Sequence, residues 1–119
     1  MAPLPRLTRR AEFLKVAAAR RKWAAPGLIL QAAGAPEDVA SRPGSWRVGF
    51  TASRKVGNAV ARNRARRRLR AVSAAVLPAH AEAGHDYVLI ARSATLSRNY
   101  GALLADLEEG LRRLGLYRA

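Results

Sequence analysis

The segment from residue 54 to residue 70 holds the densest set of side chains that could bind a charged partner. It contains eight basic residues and no acid. On a helix, Arg62 and Arg66 lie one turn apart, as do Asn63 and Arg67. Their side chains therefore repeat at a spacing of about 5–6 Å along the helix surface. Each guanidinium presents a planar fork that matches two phosphate oxygens. The spacing therefore predicts a surface that binds the phosphates of a nucleic acid strand.

The charge of the whole chain points the same way. Its 119 residues include 22 Lys and Arg against 8 Asp and Glu, for a formal net charge of +14. Residues 6–22 hold seven more of the basic groups and the single acid Glu12, so two short segments carry 15 of the 22. An excess so large and so unevenly placed indicates a polyanionic partner, with nucleic acid as the first candidate.

Several other classes of function are excluded by composition. The chain has no Cys, which rules out disulfides, thiol chemistry and Cys-based zinc sites. No apolar run approaches the ~20 residues that a membrane span needs. The acids show no spacing typical of a nuclease metal site, since Glu108 and Glu109 are adjacent and face different sides of a helix. We therefore predict no catalytic residue and no metal site in this chain.

The elements that must position the basic residues follow from periodicity. Thr8 is a candidate N-cap for a helix running to about Arg20. Residues 28–30 predict a short strand, and residues 46–52 alternate as a strand with one buried face. The loop over 34–44 is predicted to join two antiparallel strands.

The second half of the chain gives stronger patterns. Asn58 is a candidate N-cap for the arginine-rich helix, which is predicted to end at Pro78. Its apolar stripe is formed by Ala61, Ala65, Leu69, Val72 and Val76. The continuous apolar run 87–91 predicts a buried central strand. Ser97 is expected to cap a last helix, with Gly115 as its stop. The prediction is one α+β domain over residues 1–119, with an ordered core at about 6–116 and a small, mostly antiparallel sheet flanked by helices in the order α-β-β-β-α-β-α.

The string from Arg47 to Arg70 resembles the signature of the bacterial ribonuclease P protein family. The triplet Arg62-Asn63-Arg64 matches the family's hallmark, and residues 54–60 match the lead-in to it. Residues 10–16, 86–92 and 103–111 are similar to the family's first helix, last strand and closing helix. The resemblance covers roughly residues 5–117.

This resemblance implies a fold, an activity and partners. The fold is that of the second domain of ribosomal protein S5, with a left-handed crossover. The family's protein is the small subunit of a cytoplasmic ribonucleoprotein endonuclease that removes the 5′ leader from precursor tRNA. Its RNA subunit performs the cleavage, with Mg²⁺ held mainly by that RNA. The implied partners are the catalytic RNA and precursor tRNA, with no membrane and no obligatory protein partner.

The resemblance also assigns site residues in two groups. The group expected to contact the RNA subunit is Arg62, Asn63, Arg64, Arg66, Arg67 and Arg70. The group expected along the leader path is Phe13, Ala17, Gln31, Thr51, Ser53, Arg54 and Lys55, with Phe13 as a stacking platform for bases. Ala17 and Gln31 stand where the family often has aromatic residues. Trp23 would replace them if the chain after the first helix folds back over the cleft.

Two other functions remain open from the residues alone. One is a structural RNA-binding protein of the ribosomal type, without a part in any enzyme. The other is a DNA-binding protein that places the arginine-rich helix in a major groove. That helix offers little variety of side chains for reading base edges, which favours phosphate binding over sequence recognition.

Overall fold

Residues 3–119, the part of the chain that the computed structural model describes, form four α-helices, four β-strands and one 3₁₀ turn. The helices are α1 (Arg10–Ala18), α2 (Glu37–Ala40), α3 (Ala59–His80) and α4 (Tyr100–Arg113). The strands are β1 (Arg21–Ala24), β2 (Leu28–Gly34), β3 (Trp46–Thr51) and β4 (His85–Ala91), and the 3₁₀ turn is Ser93–Leu96. The predicted α+β class and mostly antiparallel sheet are confirmed.

The strands form one sheet in the order β1-β2-β4-β3. β1 pairs with β2 and β2 with β4 in antiparallel fashion, whereas β3 runs parallel to β4. The 34–44 loop joins β2 and β3, which run antiparallel as predicted, but the two strands are not neighbours because β4 inserts between them. That loop also contains the single turn of α2. The parallel pair β3 and β4 is connected through α3, which is the crossover that the family resemblance implies to be left-handed.

The main core lies between one face of the sheet and helices α3 and α4. The predicted stripe of α3 is buried except at Ala61, which is half-buried, and Ala65, Leu69 and Val72 are fully enclosed. They meet Leu30 and Leu89 from the two middle strands. At about 25 cal/mol per Å² of apolar surface, this burial is the principal term that holds α3 to the sheet. The predicted central strand is confirmed, since β4 has a partner on each side.

The helix ends match the predictions only in part. Asn58 caps α3, its Oδ1 accepting from the N–H of Ala61 at 2.9 Å. Pro78 does not end this helix, which continues to His80 with the proline in its last turn. The cap of α4 is Asn99 rather than Ser97. Gly115 is the stop, with φ +73°, and the N–H of Leu116 returns to the carbonyl of Leu111 at 2.7 Å in a Schellman motif.

Helix α1 covers part of the opposite face of the sheet. Its Val16 packs with Leu7, Ala33 and Val88 in a second, smaller apolar cluster. The helix begins after Arg9 rather than after Thr8, and it ends at Ala18, ahead of the predicted boundary. None of the helices over residues 3–119 is long and apolar enough to cross a membrane.

Candidate nucleic-acid interface

Helix α3 presents the predicted arginine surface on the side away from its buried stripe. Asn63, Arg64 and Arg67 are exposed. Arg62, Arg66 and Arg70 follow one another at intervals of four residues along the flank of the stripe and are half-buried. Because successive turns of a helix place such residues above one another, the guanidiniums form a ladder along the helix axis. No Asp or Glu occurs anywhere in α3, so no acid interrupts this surface along the helix.

One arginine of this helix has a different role. Arg68 donates from Nη1 to the carbonyl of Thr95 at 2.5 Å and from Nη2 to the carbonyl of Arg98 at 2.7 Å. Its guanidinium therefore fastens the 3₁₀ turn and the start of α4 to α3. Sequence alone does not separate Arg68 from Arg67, since both lie in one run of basic residues.

The two basic segments of the sequence meet at Arg6. The chain around Arg6 runs beside β3, where the N–H of Leu7 donates to the carbonyl of Val48 at 2.9 Å. Arg6, Arg67 and Arg70 together line a groove of about 390 Å³. The positive surface of α3 thus continues onto the N-terminal segment.

The turn between β3 and α3 carries two further predicted residues. Arg54 and Lys55 are exposed, while the neighbouring Val56 is buried in the main core. The N–H of Val56 donates to the carbonyl of Ser53 at 3.1 Å, which closes the turn. Burial of Val56 therefore fixes the backbone from which the two basic side chains extend.

The leader residues assigned by resemblance lie around the sheet face that α1 only partly covers. Gln31 of β2 lies opposite Val88 of β4, and Val88 lies opposite Gly49 of β3, so all three share this face. Phe13 of α1 packs directly on Gly49, where an added Cβ would lie 2.6 Å from Cζ of the ring. Glycine at this position is what lets the ring lie against the sheet. Phe13 is consequently half-buried, with Ala17 exposed one turn further along α1.

The open part of the face continues to the ends of the strands. Ile29, Ile90 and Thr51 lie in one row across β2, β4 and β3. A cavity of about 370 Å³ at this end is lined by Ile29, Ile90, Ser53 and Lys55 among others. The structure therefore brings an aromatic ring, apolar strand residues and a lysine to one continuous face.

Strand β1 settles the position of Trp23 and adds a residue that was not predicted. The chain after α1 does fold back, but Trp23 lies opposite Leu30 and so faces the main core. The Cζ of Arg113 lies 4.8 Å from the centroid of its ring. The expectation that Trp23 replaces the missing aromatic residues along the leader path is therefore wrong. Lys22, opposite Gln31, occupies the open sheet face instead, and only the pairing of a short, exposed strand reveals it.

The carboxylates nearest these surfaces are already paired with arginines. Both oxygens of Asp86 accept from Arg47, at 2.9 and 2.7 Å. Glu12 accepts from the backbone N–H groups of Arg9 and Thr8 and from Arg47, which together hold its pKa below the ordinary value. Asp106 accepts from Arg98 at 2.6 and 3.1 Å. Within residues 3–119, no three His, Asp or Glu side chains come together as metal ligands.

Comparison with known proteins gives a consistent result. A family model described as Ribonuclease P matches residues 1–115. The ribonuclease P protein component of Paramagnetospirillum magneticum is 62% identical over 114 residues, which is 96% of this chain and 85% of that protein. That of Gluconacetobacter diazotrophicus is 50% identical over 111 residues, covering 93% of this chain and 91% of that one.

Solved structures share the fold at lower sequence identity. The RNase P protein of Staphylococcus aureus superposes with a TM-score of 0.76 at 21% identity, over 98% of this chain and 100% of that chain. The RNase P protein of Thermotoga maritima gives a TM-score of 0.69, also at 21% identity, over 92% and 94% of the two chains. These likenesses establish that the topology described above is one that experiment has found before.

Proposed function

The chain belongs to the ribonuclease P protein family, and from this premise we propose that it is the protein subunit of a ribonuclease P that removes the 5′ leader from precursor tRNA. The observation that carries the proposal is the arginine surface of α3, on which Arg64 and Arg67 are exposed beside the half-buried ladder and no acid occurs. A surface of that kind neutralises phosphates that would otherwise repel one another. The proposal includes a cytoplasmic location. The ribosomal-type and DNA-binding alternatives receive no support from the family match.

Arg62, Asn63, Arg64, Arg66, Arg67 and Arg70 are proposed to contact the catalytic RNA. Arginine suits this task because its fork binds phosphate oxygens in pairs and its charge is permanent. The amide of Asn63 both donates and accepts, which lets it contact a 2′-hydroxyl or a base edge.

The chemical step is proposed to belong to the RNA. Glu12, Asp86 and Asp106 are each engaged by an arginine, so their oxygens are occupied by structural contacts. We propose that Mg²⁺ is held mainly by the RNA subunit. Over residues 3–119 no group of three His, Asp or Glu side chains comes together as metal ligands. The work left to this chain is to bind and orient two RNAs.

The open sheet face beside Phe13, with Gln31 and Thr51, is proposed to hold the single-stranded leader and is called the leader face. Phe13 offers a ring for base stacking, which tolerates any base and is worth about 1–3 kcal/mol. Thr51, Ser53, Arg54 and Lys55 follow the face to the start of α3, and Lys22 adds a positive charge beside Gln31. Ala17 leaves the wall of α1 open where a second ring would stand. The α3 surface and the leader face lie on opposite sides of the sheet and meet at the Arg54–Lys55 turn.

Reconstitution tests this proposal. The chain is mixed with a bacterial ribonuclease P RNA, and removal of the 5′ leader is followed at low Mg²⁺. We expect the chain to stimulate cleavage and the double variant Arg62→Ala/Arg67→Ala to assemble poorly while remaining folded. Arg42→Ala/Arg118→Ala, which also removes two exposed positive charges but from outside the arginine surface of α3, is the control for net charge. Cleavage by the double variant at the rate of the unaltered chain contradicts the proposed role of α3.

A further inference from the structure

A second groove lies between α3 and the beginning of α4. It has a volume of about 610 Å³ and is lined by Arg64, Arg67, Ala71, Ser97 and Tyr100 together with four neighbours. None of the eight acids of the chain lines it. Its volume is within the range of pockets that hold small organic ligands.

Tyr100 is the distinctive residue of this groove. It is 43% exposed, and it is the one aromatic among the large side chains that stand exposed over residues 3–119. Its hydroxyl makes a long contact of 3.4 Å to the carbonyl of Ala71. Burial in the core therefore does not explain why an aromatic residue stands at this position, and its hydroxyl makes only a weak hydrogen bond.

The frame of the groove is rigid, and its free charges are few. Arg68 donates hydrogen bonds to the carbonyls of Thr95 and Arg98, and Arg98 donates to the carboxylate of Asp106. Among the described residues, Arg64 and Arg67 have neither an ion pair nor a side-chain hydrogen bond. The groove thus combines two guanidiniums that have no partner among the described residues with an exposed aromatic ring. The hydrogen bonds of Arg68 and Arg98 hold the wall that carries them.

We propose that this groove binds one unpaired nucleotide of RNA, with its phosphate on Arg64 and Arg67 and its base stacked on Tyr100. An aromatic ring beside guanidiniums is the combination that binds single-stranded nucleic acid without sequence preference. An acidic peptide would use the charges and leave the ring without a role. The inference rests on the proposed function, and it extends the RNA contact from α3 to α4.

The test separates stacking from charge by salt dependence. The full chain and its variants are titrated with a bacterial ribonuclease P RNA at several salt concentrations. Tyr100→Leu is expected to weaken binding about tenfold at every salt concentration, with an unchanged slope of log affinity against log salt. Arg64→Ala is expected to reduce that slope by about 0.7–0.9. Tyr100→Phe keeps the ring and is expected to bind like the unaltered chain.

Each result decides the proposal. Thermal unfolding identifies any variant that has lost its fold, and Tyr100→Phe provides the folded comparison. Wild-type affinity of folded Tyr100→Leu overturns the nucleotide site. A polyglutamate peptide that binds with the same dependence on Tyr100 overturns it as well. Arg62 lies on the other flank of α3. If Arg62→Ala weakens RNA binding while Tyr100→Leu does not, the nucleotide site in the groove is contradicted and the proposed function stands. If neither variant changes RNA binding, the proposed function itself fails.

Discussion

Glu12 on α1 accepts a hydrogen bond of 2.8 Å from Nη1 of Arg47 on β3. The other oxygen of Glu12 accepts from the N–H groups of Thr8 and Arg9, at 2.9 and 2.8 Å. One carboxylate therefore caps the first helix and also fastens that helix to the sheet. Phe13 follows Glu12 directly, so this contact sets where the wall of the leader face stands.

The stability of the protein should depend on the ionisation of Glu12. The pKa of this carboxyl is below its ordinary value of 4.5, chiefly because of the two backbone N–H groups. A lowered pKa contributes stability that is present above about pH 4.5 and is lost as the pH falls through the folded-state pKa. We expect Glu12→Gln to lower the free energy of unfolding by about 1 kcal/mol at pH 7. Urea denaturation checks this, and the difference between the two proteins should shrink on acidification. A difference that stays constant from pH 7 to pH 3 contradicts it.

Arg47 and Asp86 form an ion pair whose two members should not be replaced singly. The side chain of Asp86 is 3% exposed, and both of its oxygens depend on Arg47. Arg47→Met leaves a buried carboxylate without a partner, at a cost of about 3–5 kcal/mol. Arg47→Met combined with Asp86→Leu should recover much of that loss. Denaturation of the single and double variants measures the coupling, and additive losses would exclude it.

Phe13 should affect substrate choice through its ring rather than through its bulk. Phe13→Leu retains an apolar side chain against Gly49 but has no aromatic face. We expect it to reduce the preference of the reconstituted enzyme for precursor over mature tRNA by up to about tenfold, the same loss that we expect of Phe13→Ala. Competition between the two tRNAs measures this preference. If Phe13→Leu discriminates as well as the unaltered chain, the ring is a packing residue.

Gly49→Ala tests the close contact between the Phe13 ring and the backbone of β3. An added methyl group overlaps Phe13, and Cβ of Leu7 stands 3.3 Å from the same position. We expect a loss of stability of about 1–3 kcal/mol, since the ring must move away from the sheet. Adding Phe13→Ala to Gly49→Ala should relieve the overlap. A melting temperature of Gly49→Ala equal to that of the unaltered chain contradicts the close approach.

Arg67 and Arg68 are adjacent in sequence and should behave oppositely when replaced. Arg67→Ala is expected to weaken binding to the RNA subunit and leave the melting temperature unchanged. Arg68→Ala removes two hydrogen bonds from a charged donor and should cost about 2–3 kcal/mol of stability. Each variant is the control for the other, because both remove one positive charge. Equal effects of the two on stability would show that position on the helix does not decide their roles.

The sequence predicted the elements whose patterns are long and periodic. The apolar stripe of α3 and the run that became β4 are such patterns, and both were found as predicted. Local cap chemistry was ambiguous by a few residues, since Asn99 rather than Ser97 begins α4. Pro78 predicts the end of α3, yet the helix runs on to His80, because a proline in the last turn leaves most of the helix intact.

The remaining features depend on contacts between distant residues. β1 has four residues with little burial, and only its pairing with β2 makes it a strand. The face occupied by Trp23 follows from that register. Arg68 differs from its neighbours solely because Thr95 and Arg98 lie within its reach. Such assignments require three-dimensional proximity, which no local pattern carries.

The position of β4 in the middle of the sheet has a consequence for the synthesis of the protein. β2 and β3 have no direct contact as strands, and both need β4, which the ribosome makes after α3. A nascent chain that ends before His85 has β2 paired only with the short β1 and β3 without a strand partner. Its arginine-rich helix lacks β4 and α4, two of the elements against which the apolar stripe packs. Long-range pairing of this kind delays folding. The helix with the densest positive charge therefore reaches its final form only after the central strand has left the ribosome.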